Sequence, residues 1–468
     1  MFFIVAVAAA LSGGSGADSA DAPKTPSADR VTSPSALAAL VARVRVPGFS
    51  RQTKLPCGAC HYGFPQLTPF GRMFKLNGYT MTGLVPIISQ ADSAARSSLE
   101  LSPIAPLSVM AIVSGTSTAT PIPGTRATTY QFPQQLSLFA ATAISDRMGI
   151  FSQLTYSDQS AKISIDNVDL RFAAHKTIGT RDVLLGLTLH NNPTVQDVWN
   201  TTPAWGYPFI SSGVALAPAA STLIDGRLAQ SVMGLGAYAL VSNSVYAEVS
   251  GYVSAPQGAT LPLDSSARMT VHAVSPYWRL GLQHEFKSDY LMIGTFGLYS
   301  ELFPAGVTGP TDQFTDIGLD AQLEHKLDKG MLIARATWTH ESQNLTASFG
   351  TSPAAAQNVS NTLNSYKLNV SYIPTPAHTV TVGVFGTSGT SDNLLYAPSP
   401  VSGSSTSSPA SMGERFEYAV SPWLNVRLGA QYVMYQKFNG ASQNYDVAPN
   451  GRSARDNNAV YVYLWLVY

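Results

Sequence analysis

The chain has 468 residues, and its 28 basic and 28 acidic side chains give a formal charge of zero. Charged residues make up 12%, about half of the roughly 25% usual in soluble domains. Yet 45% are hydrophobic, with 37 Gly, 21 Tyr and 19 Phe. That balance offers nothing to nucleic acid and suits an outer-membrane barrel better than a cytosolic enzyme. No run of about 18 apolar residues occurs beyond the N-terminus, which excludes spanning helices.

In chain order, residues 1–22 read as a secretory signal: an apolar run from Phe2 to Leu11, then small residues with cleavage after Ala17 or Ala22, although no Lys or Arg precedes the run. Residues 23–45, rich in Ala, Ser, Pro and Asp, read as a flexible lead-in. Residues 46–90 form a small segment around Cys57-Gly58-Ala59-Cys60-His61, which spells C-x-x-C-H, the attachment signature of a c-type haem. These are the only two cysteines of the chain. A structural zinc site wants four Cys/His ligands, and a C-x-x-C redox disulfide belongs to a βαβ context that is absent here. The expectation is therefore one covalent haem c, with Cys57 and Cys60 adding to its vinyl groups as thioethers and His61 ligating the iron. Met73 and Met81 are the nearest thioethers for the distal side, each with packing as its alternative, and a barrel residue is the third option. No residue calls for a catalytic acid or base.

After a linker over residues 91–104, residues 105–468 read as strands. The sign is alternation: in Val380-Thr381-Val382-Gly383-Val384 apolar residues recur at every second position. Sixteen strands are expected, at 105–115, 132–145, 149–157, 161–174, 182–190, 225–241, 245–255, 270–286, 290–302, 314–327, 331–344, 362–374, 379–389, 413–421, 424–438 and 458–468. Tight turns alternate with long Pro/Ser/Gly-rich loops, as in a barrel with turns on the periplasmic rim and loops outside. The connection Asp158 to Ser160 is short where a loop is due, and Pro276 and Pro422 imply bulges or shifted starts. The last strand carries Tyr461, Tyr463 and Trp465 on the face that should be polar. The predicted fold is thus all-β: a transmembrane antiparallel barrel with the small N-terminal haem segment in its lumen. A segment of about forty residues cannot wrap a haem unaided, so the barrel would supply the walls.

The remaining polar residues give weaker signals. His175, His190, His272, His284, His325, His340 and His378 form no metal-binding grouping and read as lumen or rim residues. Asp197, Asp264, Asp312, Asp392, Asp446 and Asp456 fall in loops, either attracting a metal cation or simply solvated. Trp199 and Trp205 either fold inward, as a haem shield or constriction, or anchor a long loop at the membrane interface.

Residues 48–53, the haem motif, Phe64-Pro65-Gln66-Leu67-Thr68-Pro69-Phe70-Gly71-Arg72 and Phe74-Lys75-Leu76-Asn77-Gly78-Tyr79 resemble the N-terminal signature of the fused cytochrome–porin iron oxidases of iron-oxidising bacteria. So do the loop from Asn191 to Pro208 and the ending from Lys437 to Asn458. The resemblance runs from about Val46 onward. It implies a monohaem cytochrome joined to an outer-membrane porin-like barrel, with extracellular Fe(II), a periplasmic carrier such as a soluble cytochrome, and outer-membrane lipid as partners. The same architecture would also serve an exporter of electrons, or a diffusion porin with a non-catalytic haem segment.

Overall fold

Alternation of side chains decides the architecture. In β12 (Asp312–Lys326) the inward residues are Phe314, Asp316, Asp320, Gln322 and Glu324, all buried, whereas Ile317, Leu319 and Leu323 point out and are exposed. β8 (Met233–Val241) repeats this, with Met233 and Leu235 exposed at 56% and 64% and Tyr238 and Leu240 buried. A soluble sheet hides its apolar face; these strands show it.

The computed structural model describes residues 47–81, 107–254, 269–304, 309–350, 355–423, 425–448 and 451–468. The expected signal, lead-in and linker lie outside these residues, as does Asp264. The barrel strands run up and down in sequence order: β3 (Leu107–Thr118), β4 (Thr128–Ala143), β5 (Met148–Ser157), β6 (Lys162–Ile178), β7 (Arg181–His190), β8, β9 (Val245–Val253) and β10 (Ser275–Glu285). They continue through β11 (Asp289–Leu302), β12, β13 (Met331–Asn344), β14 (Ser360–Thr375), β15 (His378–Gly389), β16 (Ser411–Trp423), β17 (Val426–Lys437) and β18 (Ala459–Val467). Every neighbouring pair is antiparallel, and β18 closes on β3 with Leu464 opposite Val113. The expected sixteen-stranded barrel is the observed one.

Departures are local. The strand expected from 225 starts at Met233, because Leu223 and Ile224 stay in the lumen, where their amides donate to Glu341 and Asp316 instead of joining a ladder. Gly226 then turns the chain at φ +85°. Pro276 is the second residue of β10. Pro422 sits where the β16–β17 pairing slips between Val420 and Trp423, the irregularity a ladder needs around a residue without an N–H. The short connection after β5 is a tight turn before Lys162.

A closed sheet of sixteen strands is wide enough for an aqueous channel unless something fills it. Two pieces of the chain do. The first is the segment before the barrel, containing α1 (Gly48–Thr53), α2 (Cys57–Cys60), a small hairpin of β1 (His61–Gly63) and β2 (Gln66–Leu67), and α3 (Pro69–Leu76). The second is the long connection 191–232, which folds inward across the lumen. Its Ile210 carbonyl accepts from Gln431 (2.8 Å), Ser212 meets Thr116 (2.7 Å), and Asp225 pairs with Lys367 (2.7 Å).

Candidate haem site in the barrel lumen

The motif forms one helical turn. Pro56 starts it, and the His61 amide closes it by donating to the Cys57 carbonyl. Residues three apart in a helix share a face, so Cys57 and Cys60 stand side by side and His61 follows in extended conformation. Both thiols are free and half-buried. Burial pushes each of them up, Cys60 to about 11, so neither is a reactive thiolate at neutral pH. Burial pushes the His61 imidazole down to about 4, against the carbonyls of Pro65 and Gln66, which favour its charged form. It is neutral at pH 7, as a metal ligand must be. Its buried Nδ1 has no well-aligned hydrogen-bond partner among the described residues.

Packing behind the motif leaves little freedom. Thr68 caps α3 by accepting from the Gly71 amide (3.1 Å) and donates to the Ala59 carbonyl (2.6 Å), tying α3 to α2. A Cβ on Gly71 would lie 2.2 Å from the Cys60 carbonyl oxygen, so only glycine fits there. Phe49, Phe74 and Tyr79 make the segment's own small aromatic core, with ring centroids 5.1 Å and 5.3 Å from Phe49.

The remaining support comes from the barrel. Tyr62 donates to Glu324 (2.8 Å), which also pairs with buried Arg72. Tyr79 donates to Asp169 (2.7 Å), Tyr238 donates to the Leu76 carbonyl (2.6 Å), and His175 meets Asn77 (2.8 Å). Lys75 donates to the carbonyls of Val195 and Asp197 (2.6 and 2.8 Å) and lies over the Trp205 ring, which joins the segment to the inward loop. The Arg427 guanidinium reaches the Phe64 carbonyl (3.1 Å), and the Phe64 ring meets Trp465 edge-on at 5.2 Å. Trp465, one of the inner aromatics of β18 that look out of place in a polar lumen, is a seat for this segment, and Tyr463 bonds the Arg427 that reaches it. These contacts lie toward the rim of short turns: Leu107, Ala143, Tyr290 and Arg427 all stand near strand ends there.

The donor set fits a covalent haem: two adjacent thiols, a neutral imidazole, and the apolar rings of Phe64 and Phe70, which remain 38% and 39% exposed beside them. A porphyrin is a large apolar body, and such rings are what it covers. Met73 stands about 200° around α3 from Gly71 at 3.6 residues per turn, on the flank away from Cys60. There it lines a cavity of about 230 Å³ with Pro69, Leu76, Val198 and Tyr290. Met73 packs there against the cluster of Leu76, Val198 and Trp199. Met81 is half-buried at the end of the described segment.

The other histidines are engaged elsewhere or exposed. His190 bonds Tyr252 (2.6 Å), His272 pairs with Glu301 (2.9 Å), and His325 pairs with Asp289. His340 meets Asn364 (2.9 Å), His378 meets Tyr418 (2.8 Å), and exposed His284 packs on Phe286. The loop carboxylates among the described residues are taken up by backbone amides: Asp197, Asp312, Asp392 and Asp446 are buried and Asp456 is half-buried. Asp197 accepts from the amides of Trp199, Thr201 and Thr202 and pairs with Arg279 (3.2 Å). Asp312 holds the amides of Ala347 and Ser348, Asp446 those of Val401 and Arg452, and Asp456 that of Ser453. Both tryptophans fold inward: Trp199 is 1% exposed and donates to Tyr290 (2.6 Å), and Trp205 donates to Val195 (2.6 Å). Arg72, Glu324, Glu417 and Arg427 escaped sequence reading. Their signal was a charge at an inward position of a strand, or in the helix facing it.

The outward apolar wall and the charged interior define the class: a porin-like β-barrel of the outer membrane. No family model matches the chain, and no curated protein matches it. Among solved structures it is similar to OmpF of Salmonella typhi, solved in complex with daunomycin, at 10% identity over 77% of this chain and 97% of that one, with a TM-score of 0.44. It is also similar to the anion-selective porin from Comamonas acidovorans (11% identity, 77% and 98% covered, TM-score 0.43). A third is the trimer form of OmpT of Vibrio cholerae (9% identity, 77% and 98% covered, TM-score 0.42).

Proposed function

We propose that this protein carries electrons across the outer membrane, from extracellular Fe(II) to a periplasmic carrier such as a soluble cytochrome, through one covalent haem c. Cys57 and Cys60 hold the group as thioethers and His61 ligates its iron. When bound, haem supplies a reversible one-electron site, which matches the single electron each Fe(II) loses as it becomes Fe(III). The observation that carries the reading is the seating of the Cys57–His61 turn inside the lumen of a closed barrel.

The protein's own residues set the conditions. Burial keeps the His61 imidazole neutral and able to ligate. The segment and the loop 191–232 occupy the lumen, which speaks against a diffusion porin. The short-turn rim, periplasmic in barrels of this kind, is the one near the motif and the one from which a carrier would collect charge. Iron and the inward direction of transfer rest on the resemblance of residues 48–79 to the cytochrome–porin iron oxidases.

The test is to reconstitute the purified protein, oxidise it fully and mix it anaerobically with Fe(II). Reduced haem bands should grow in with added iron. Bands that stay in the oxidised form would overturn the proposal. A midpoint potential too low for Fe(II) oxidation would favour the exporter instead.

A further inference from the structure

Arg427 and Glu417 stand opposite the haem motif on the barrel wall, and no reading of the motif alone involves them. Arg427 is a buried residue on β17 whose guanidinium makes three kinds of bond. Its Nε donates to the Tyr463 hydroxyl (3.1 Å), its Nη2 to Glu417 Oε1 (2.9 Å) and its Nη1 to the Phe64 carbonyl (3.1 Å). Glu417, on β16, also accepts from the Tyr463 hydroxyl on the same Oε1 (3.0 Å) and from Gln431 on Oε2 (2.7 Å). Gly63 completes the contact: a Cβ there would meet Arg427 Nη1 at 3.3 Å and Thr379 Oγ1 at 3.4 Å.

The carbonyl that Arg427 grips belongs to the turn that presents His61. The Phe64 ring lies 5.0 Å from the imidazole, and the next two carbonyls, of Pro65 and Gln66, are those that face it. A metal-bound imidazole is oriented by what its second nitrogen meets, and such outer partners tune the metal. We infer that Arg427 and Glu417 are positioning residues through which the barrel wall fixes the His61 turn and sets the redox potential of the haem. The inference rests on the proposed haem attachment.

The pair also acts as two opposite charges in a dry lumen, where Coulomb interactions are strong. A positive charge nearby favours the reduced, more electron-rich haem, and a negative charge favours the oxidised one. The two residues therefore pull in opposite directions. Removing Arg427 leaves Glu417 uncompensated and lowers the midpoint potential; removing the Glu417 charge raises it. A merely structural cradle would respond in the same way to the loss of either side.

The experiment is a spectroelectrochemical titration of the full chain as wild type, Arg427→Gln and Glu417→Gln, with folding checked by heat-modifiable mobility. The expected result is a lower midpoint for R427Q and a higher one for E417Q, both retaining the haem bands. Unchanged potentials, or shifts of the same sign, would overturn the inference. Should R427Q not fold, E417Q decides alone: a raised midpoint supports the inference and a wild-type one overturns it. A wild-type chain without attached haem would fail the reading beneath it, and the inference would fall with that.

Discussion

Carboxylates in the long loops bind backbone amides, and Asp392 is the fullest case. It accepts from the amides of Gln357, Asn358, Leu394 and Leu395 and from the Asn361 side chain, so it joins the loop after β13 to the loop after β15. Burial alone would raise its pKa, but these donors outweigh burial and hold it at about 2, below its ordinary 3.8. A carboxyl group held below its unfolded value stabilises fully above that value and loses its contribution as pH falls through the folded one. Asp392→Asn should therefore lower thermal stability most at pH 5 and least near pH 2, the gap closing between pH ~4 and ~2. Melting curves across that range would test it, and a penalty that does not change with pH would contradict it. Sequence reading offered solvation or cation attraction for these residues. For Asp197, Asp312, Asp392 and Asp446 burial against amides replaces both, and amides brought in from distant loops are invisible in a linear pattern. The C-x-x-C-H turn was legible because its chemistry depends on adjacent residues.

At the scale of elements, the segment holding α1 to α3 has only a small aromatic core of its own and takes the rest of its support from the wall. The ion pair of Arg72 with Glu324 is one of its buried tethers, both side chains being 4% exposed. Breaking a buried pair by removing one partner costs about 3–5 kcal/mol, because the other charge is left stranded. Arg72→Met should thus loosen the segment. In planar bilayers the wild type should pass little current and R72M should open more often. Porin-like conductance of the wild type would contradict the filled lumen. The strands were legible from alternation and turn residues: all sixteen are present, most within a few residues of where expected, while β8 starts eight residues late. The inward course of 191–232 was not legible as a path, although Trp199 and Trp205 were open to it. Met73 illustrates the same limit: spacing from His61 made it a ligand candidate, and only the helix face turns it away from Cys60.

For the whole molecule, an apolar outer wall, an ion-paired interior and a lumen occupied by two segments combine into a barrel that holds a C-x-x-C-H turn within it. Of the inner aromatics of β18 that look anomalous in sequence, Trp465 answers to Phe64, some four hundred positions earlier in the chain. Such a pairing follows from closure of the sheet, which no local pattern records. Whether the lumen holds a covalently tethered haem is read directly from mass spectrometry of the mature protein and of its peptide spanning Cys57 to His61. One haem per chain, joined through both sulfur atoms, is the expected result. A peptide with two unmodified thiols, from cells that attach haem to other c-type cytochromes, would contradict it.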